Sequence, residues 1–347
     1  MLLDIIIFII ILAALVIAHE WGHFFSAKKF GMYVEEFAVG FPPRLWSRKS
    51  KETTLSINAI PLGGYVKIPG ENGIDEELTE DQKAIPRERF FASHPAWHKI
   101  VVLAAGVCMN FIVGWMLLTL VFLIGAKPTV VVTNIASDSP ALSAGLKQGD
   151  IIVGFQTPDA FIAAVNAHAG NSMIFTVQRG GSDVQLSVVP RLHPPQGEGA
   201  LGVEIAGGGA AREPFFAALW DGLSSSAQIF SLIFVLLFQL IASIFGGPDV
   251  LSYLSGPVGI YQATAQASSL GVVYVLHLAA LISLNLAALN VFPFPALDGG
   301  RIVFVIAEKI RRKPISARVQ YIVNGVGFIM VMGLLLFITV RDVMHLL

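Results

Sequence analysis

One cysteine, Cys108, stands in a chain of 347 residues. A disulfide within the chain is therefore excluded, and so is a zinc site built from several thiolates. Set in an apolar run, Cys108 reads as a small buried apolar residue. Charge is scarce as well. Only 14% of residues are Asp, Glu, Lys or Arg, where a soluble domain carries about 25%. Hydrophobic residues make up 54% of the chain and the mean hydropathy is +0.70, an imbalance that argues for a protein embedded in lipid. Neither sign of charge dominates: 23 Lys and Arg stand against 24 Asp and Glu. No basic field suggests a nucleic-acid partner, and none is expected. The first apolar run also lacks the marks of a signal peptide. Asp4 is the only charge before His19, and no small-residue cleavage site follows, so the run reads as a retained helix.

Four long apolar stretches are present: residues 2–18 resuming at 24–27, 100–126, 272–294 and 322–340. Each suits a helix of about 20 residues crossing the hydrocarbon core. The first carries His19, Glu20 and His23 and closes at Lys28 and Lys29. In the second, Gly106, Asn110 and Gly114 recur at every fourth residue, giving one face of small residues for close helix packing. Between these two helices, residues 55–68 alternate around Gly63-Gly64, which predicts a hairpin, and residues 71–89 read as a charged, flexible surface loop. Residues 129–192 have ordinary polarity. They predict strands at Thr129–Ile135, 151–155, 174–179 and 184–189, a short helix at 159–168, and a turn at Gly180-Gly181. Residues 193–212 read as a Pro/Gly-rich linker, and Gly256-Pro257-Val258-Gly259 as a turn before the third span. There is no internal repeat.

Two loops are basic, one around Lys28, Lys29, Arg44, Arg48, Lys49 and Lys51, the other from Lys309 to Arg318. The positive-inside rule places both in the cytoplasm, and with them the β-hairpin. Residues 127–271 must then contain an even number of crossings. The stretch 215–245, interrupted by Asp221, Ser224 to Ser226 and Gln239, is expected to lie on the outer membrane surface as an amphipathic helix; the alternatives are a re-entrant pair, or a fifth spanning helix, which would break the charge rule.

His19-Glu20-Trp21-Gly22-His23 is an HExxH pattern. On a helix the two histidines share a face, so both imidazoles can bind one Zn²⁺, and Glu20 can take a proton from the water the metal activates. Two histidines and a glutamate in an apolar helix are costly unless they work. Zinc needs a third protein ligand. Asp298 is the leading candidate, because Pro293 and Pro295 free backbone at membrane depth beside it, which is tolerated only around a cavity or within protein. Two alternatives stay open: Asp298 could cap a helix beginning near Gly300, and Glu308 could be the third ligand.

Three segments, HEWGHF (19–24), PLGGYVKIPGE (61–71) and NVFPFPALDGGR (290–301), together resemble the site-2 protease family, and their order resembles its bacterial regulator-of-sigma-E protease type. SPALSAGLKQGDII (139–152) resembles a PDZ domain. The resemblance covers nearly the whole chain. It implies zinc as cofactor, His19, His23 and Asp298 as ligands, and Glu20 as the catalytic residue. It implies hydrolysis of single-pass membrane proteins of the anti-sigma-factor type, or of signal-peptide remnants, within the bacterial cytoplasmic membrane and its lipid. Asn290 by the same resemblance binds substrate or stabilises the oxyanion; a helix–helix hydrogen bond is the plainer alternative, and Asn285 is a weaker case. Gly63, Gly64 and Tyr65 fall in a stretch like the family's membrane-dipping β-loop, which could hold substrate extended by strand addition, and Pro293 and Pro295 are grouped with them as substrate-contacting. The PDZ-like domain could take a peptide end or act only as a steric shield. This chain has room for one such domain where relatives often carry two, with residues 201–206 a possible remnant strand. A PDZ-bearing membrane sensor without catalysis is the alternative to an enzyme. His94, His98, His277 and His345 read as isolated structural residues.

The expected fold is thus a polytopic α-helical membrane protein with four transmembrane helices, a cytoplasmic-side β-hairpin loop and an inserted extracytoplasmic PDZ-like α+β domain. Its expected division is 1–126 (first membrane half), 127–192 (PDZ-like), 193–271 (linker and surface helix) and 272–347 (second membrane half).

Overall fold

The computed structural model describes residues 2–71, 80–126, 129–179, 182–195, 198–244 and 255–344. The expected turn at Gly180-Gly181 and His345 lie outside them. The chain divides into two compact units, one of Met1–Leu118, Gly222–Ala265 and Leu278–Leu347, the other of Thr119–Asp221 and Gln266–His277.

The first unit is built on long helices. α1 (Leu2–Lys29) is a continuous apolar run closed by two lysines, whose charge suits the carbonyl end of a helix. α3 (Ala96–Ile124), α6 (Phe215–Ile244), α8 (Val272–Val291) and α10 (Ala317–Met344) are, with α1, the helices long and apolar enough to cross a membrane. By length and composition that makes five among the described residues, the four expected spans and one helix more. The fifth is α6. Its polar interruptions do not break it, because Ser226 and Ser231 donate their hydroxyls to the carbonyls of Gly222 and Ala227 one turn back. It packs on its neighbours. Phe230 meets Phe111 of α3 edge-on at 5.6 Å, and Phe238 meets Phe292, just past α8, at 5.5 Å. Ile233 shares a core with Leu118, Ala280, Leu284 and Ala288.

β1 (Glu36–Ser50) and β2 (Thr53–Lys67) pair antiparallel about a turn at Lys51 and Glu52. Both are bent, so Phe37 aligns with Leu55 on one side and with Val66 on the other. The hairpin expected within 55–68 is therefore displaced: Gly63 and Gly64 lie inside β2 and make no turn. A Cβ on Gly64 would come within 2.9 Å of the Ala38 carbonyl and 3.1 Å of Glu20 Cγ. Glycine there serves close approach of the sheet to α1. The expected flexible loop 71–89 is docked where it is described. It contains the single-turn α2 (Glu80–Lys83) and the 3-10 turn Arg87–Arg89. Tyr33 N–H donates to the Arg89 carbonyl at 2.8 Å, and Phe91 is buried with Ala27, Met32, Val102 and Val305. His94 and His98 are not isolated either. Their Nδ1 atoms lie 3.1 Å apart, and His98 stacks on Phe30. Cys108 is exposed on α3, not buried, since the buried face is the one carrying Gly106 and Asn110.

α7 (Pro257–Leu270) begins where a turn was expected; Gly256 and Gly259 N–H donate to Asp342 Oδ2 of α10 at 2.8 and 3.1 Å. After α8 the chain breaks at Pro293 and Pro295, and the freed Ala296 N–H is taken by Asn324 Oδ1 of α10 at 3.2 Å. α9 (Asp298–Arg311) starts at once. Its first turn presses on the break so closely that a Cβ on Gly299 or Gly300 would collide with the carbonyls of Phe292 or Phe294.

The second unit holds one antiparallel sheet in the order β6-β5-β4-β3-β7. β3 (Thr129–Ile135), β4 (Ile151–Ile152), β5 (Met173–Arg179) and β6 (Ser182–Val188) fall near their predicted positions. α4 (Pro140–Ser143) and α5 (Pro158–Ala167) each open with proline after a hydroxyl cap, Ser139 and Thr157. β7 (Val203–Gly208) corrects the linker reading. It is a strand, as expected at residues 201–206, and it is the partner of β3 in this sheet, with Val131 aligned to Ala206. Phe161, Phe175, Val130, Val177 and Leu201 fill the core. Asp150, 1% exposed, is held by Arg179 through two hydrogen bonds of 2.8 and 2.6 Å and by the Lys147 N–H.

Candidate metal centre

The buried face of α1 carries Leu15, His19, Gly22, His23 and Ser26. His19 and His23 are one turn apart, so their rings share that face, nearly perpendicular, with centroids 4.7 Å apart. His23 Nδ1 donates to the Val102 carbonyl of α3 at 2.8 Å. A carbonyl can only accept, so the Nδ1 proton is fixed and Nε2 of the neutral ring presents a lone pair. The helix break then delivers Asp298. As the first residue of α9 it makes no cap to its own helix, whose N-cap is Leu297. Its Oδ2 lies 3.1 Å from His19 Nε2 and 3.3 Å from His23 Nε2, and the two Nε2 atoms are 3.1 Å apart.

These three atoms form a near-equilateral triangle of acceptors. Asp298 Oδ2 is buried with no hydrogen-bond donor. Lone pairs converging in a buried place repel one another unless a cation lies among them. Tetrahedral zinc with ligand bonds of about 2.0–2.1 Å puts its ligands about 3.3 Å apart, so the residues fit that ion. Gly106 of α3 completes the cradle: a Cβ there would strike both imidazoles. Among the described residues this is the one cluster of three or more His, Cys, Asp or Glu able to hold a metal.

The triangle opens on a cavity of about 410 Å³ lined by Glu20, Phe41, Gly64, Tyr65, Glu71 and Arg301, among others, a volume in the range of ligand-binding clefts. Glu20 projects beside the ligands. Arg301 pairs with Glu71 across the cavity. Of the other predicted residues, Gly64 and Tyr65 line the cavity; Asn290, Gly63, Pro293 and Pro295 do not. Asn285 donates to the Leu281 carbonyl of its own helix. Glu308 is engaged elsewhere, accepting from the Ile315 N–H at 2.9 Å and from Gln320. Sequence reasoning missed the roles of the Val102 carbonyl, Arg301, Glu71 and Asn324. Arg301 and Glu71 stood inside quoted segments; Val102 and Asn324 carry no local signal.

Fold and site together define a multi-pass membrane protein in which two histidines and one carboxylate are placed where they could hold a metal. Residues 7–334 match the family model described as peptidase family M50. Zinc metalloprotease RasP of Shouchella clausii is 30% identical over 97% of this chain and 97% of its own length. The regulator of sigma-W protease RasP of Bacillus subtilis is 28% identical over 99% and 98%. A Nostoc sp. protein provisionally named a zinc metalloprotease is 33% identical over 96% and 94%. The chain belongs to peptidase family M50 and is a zinc metalloprotease.

Proposed function

We propose that this protein is an intramembrane endopeptidase in which His19, His23 and Asp298 hold the zinc and Glu20 moves the proton. The observation that carries the reading is the triangle of three lone-pair donors, 3.1–3.3 Å on a side, facing a cavity that Glu20 also lines. Bound zinc supplies a Lewis acid that brings a water toward neutral pKa. Glu20, lining the same cavity, would accept a proton from the attacking water and hand it to the leaving amine. The ring orientations are set before substrate arrives, by Val102 at His23 and by the helix break at Asp298, so little reorganisation accompanies the chemistry.

A helical substrate hides its peptide bonds and must be extended first. Residues 64–67 pair with 36–39 on one side, and among the described residues no strand pairs with their other side. We read that edge, with Gly64 and Tyr65, as the place where an unwound substrate segment adds as a strand. Asn290, Pro293 and Pro295 stay candidates only for contacts made once substrate is bound. The substrate class is single-pass membrane proteins of the anti-sigma-factor type or signal-peptide remnants, a reading supported by the name regulator of sigma-W protease borne by the Bacillus subtilis relative. Two basic loops support a bacterial cytoplasmic-membrane orientation with β1 and β2 inside and the five-stranded unit outside. That unit, PDZ-like in sequence, would take a peptide end or screen bulky substrates.

The test is cleavage of a single-pass substrate already truncated outside, by detergent-purified protein, with bound zinc measured in parallel. Wild type should cut; Glu20→Gln should keep zinc and not cut; Asp298→Ala should lose both. Cutting by Glu20→Gln at the wild-type rate would sink the assignment.

A further inference from the structure

The two histidines are not held alike. His23 has a backbone carbonyl at Nδ1, and His19 has a side chain, Asn110 of α3, whose Nδ2 lies 3.3 Å from His19 Nδ1. Asn110 is fully buried, and its Oδ1 has no hydrogen-bond partner. A buried amide oxygen without a donor costs about 1–3 kcal/mol. Its burial is enforced from both sides. Gly106, one turn earlier on α3, lets the helix press against both imidazoles, and Ser283 Oγ of α8 donates to the Asn110 carbonyl at 2.7 Å.

If His19 binds metal through Nε2, the proton of its neutral ring sits on Nδ1, and that N–H needs an acceptor. The oxygen and nitrogen of an amide head are isosteric. Half a turn of the Asn110 head puts Oδ1 where Nδ2 lies, against the His19 N–H. The orphan oxygen and the required acceptor are thus the same atom.

We propose that Asn110 is a positioning residue for His19: its amide oxygen takes the Nδ1 proton, holds the ring in the tautomer that offers Nε2, and so sets zinc affinity. This rests on His19 being a zinc ligand. Outer partners of this kind are worth about 10–100-fold in metal affinity.

The test is zinc affinity of the purified full chain, by competition with a chelator, beside the visible spectrum of the cobalt(II)-substituted protein. Asn110→Leu keeps the shape and removes the acceptor; it should weaken zinc binding about 10–100-fold and alter the cobalt spectrum. Asn110→Asp restores an acceptor and should bind zinc within a few-fold of wild type. Ser283→Ala, which loosens only the helix contact, should leave both readouts unchanged. Wild-type affinity in Asn110→Leu would overturn the proposal. So would equal weakening in Asn110→Leu and Asn110→Asp, which marks a packing role; if Asn110→Leu does not fold, weakened binding by Asn110→Asp alone decides against it. Failure of the underlying ligand assignment is distinguishable, because His19→Ala would then keep wild-type zinc affinity.

Discussion

Two aspartates with enclosed carboxylate oxygens divide this molecule by what they do. Asp150, in the five-stranded unit, is 1% exposed and satisfied by the Arg179 fork and a backbone N–H. Asp298, at the start of α9, is half-buried, with its enclosed Oδ2 set between two imidazoles and lacking any donor. The first arrangement is what a carboxylate needs to be stable; the second is what it needs to bind a cation. The same contrast runs through the asparagines. Asn324 Oδ1 accepts the Ala296 N–H of the helix break, while Asn110 Oδ1 is left unpaired beside His19. In both comparisons the closed polar network belongs to the scaffold and the open one faces the candidate metal centre.

The largest effect that tests the contrast is catalytic. Glu20→Gln should lower the rate of peptide cleavage by about 10²–10⁴ with zinc content unchanged, and removal of zinc by a chelator should abolish cleavage until zinc is restored. Next comes the cradle. Gly106→Val cannot be accommodated against His19 and His23 and should strip zinc from the purified protein, as elemental analysis would show. The sharpest comparison uses one substitution at two places. Asp150→Asn breaks a buried pair and should destabilise the five-stranded unit by about 3 kcal/mol, seen as a separate unfolding step with zinc retained. Asp298→Asn supplies an N–H to the open triangle and should abolish zinc binding while raising the melting temperature of the metal-free protein. If both variants lower stability alike in the absence of metal, the distinction between closed and open networks fails.

The smallest effect concerns the turn between β1 and β2. Glu52 accepts hydrogen bonds from Arg89 at 2.8 Å and Lys28 at 2.6 Å, which hold its carboxyl down to about 2. A folded value below the ordinary 4.5 stabilises the protein fully above about pH 4.5 and is lost as pH falls toward 2. Glu52 is partly exposed, so solvent screens the gain. Melting temperatures measured from pH 7 to pH 3 should fall slightly more steeply for wild type than for Glu52→Gln; parallel curves would remove this contact from the account.

Much of the molecule was legible before folding. His19 and His23 one helical turn apart need no tertiary information to share a face, and Pro293 and Pro295 announce a break wherever the chain goes. Thr129–Ile135 forms β3 because alternation and β-branching act locally. Non-local events were hidden. β7 became a strand because β3 offered an open edge some seventy residues away, although its own glycines read as linker. Gly63-Gly64 looked like a turn and proved to be a place where sheet and helix touch. α6, expected on the membrane surface from charge parity, packs on α3 and on Phe292 past the end of α8, contacts that no local pattern announced.

By itself the sequence determined that two histidines and a glutamate share one helix and that the chain breaks before Asp298, since these follow from periodicity and the geometry of proline; it left Asp298 and Glu308 as rival third ligands. Only the tertiary structure decided that Asp298 points at both imidazoles, that Val102 sets one ring and Asn110 faces the other, and that Glu308 is occupied elsewhere. The reason is physical. Ligand geometry depends on which helices approach closely, and that is set by pairs of small residues and carbonyls far apart in the chain, whose meeting no local pattern encodes.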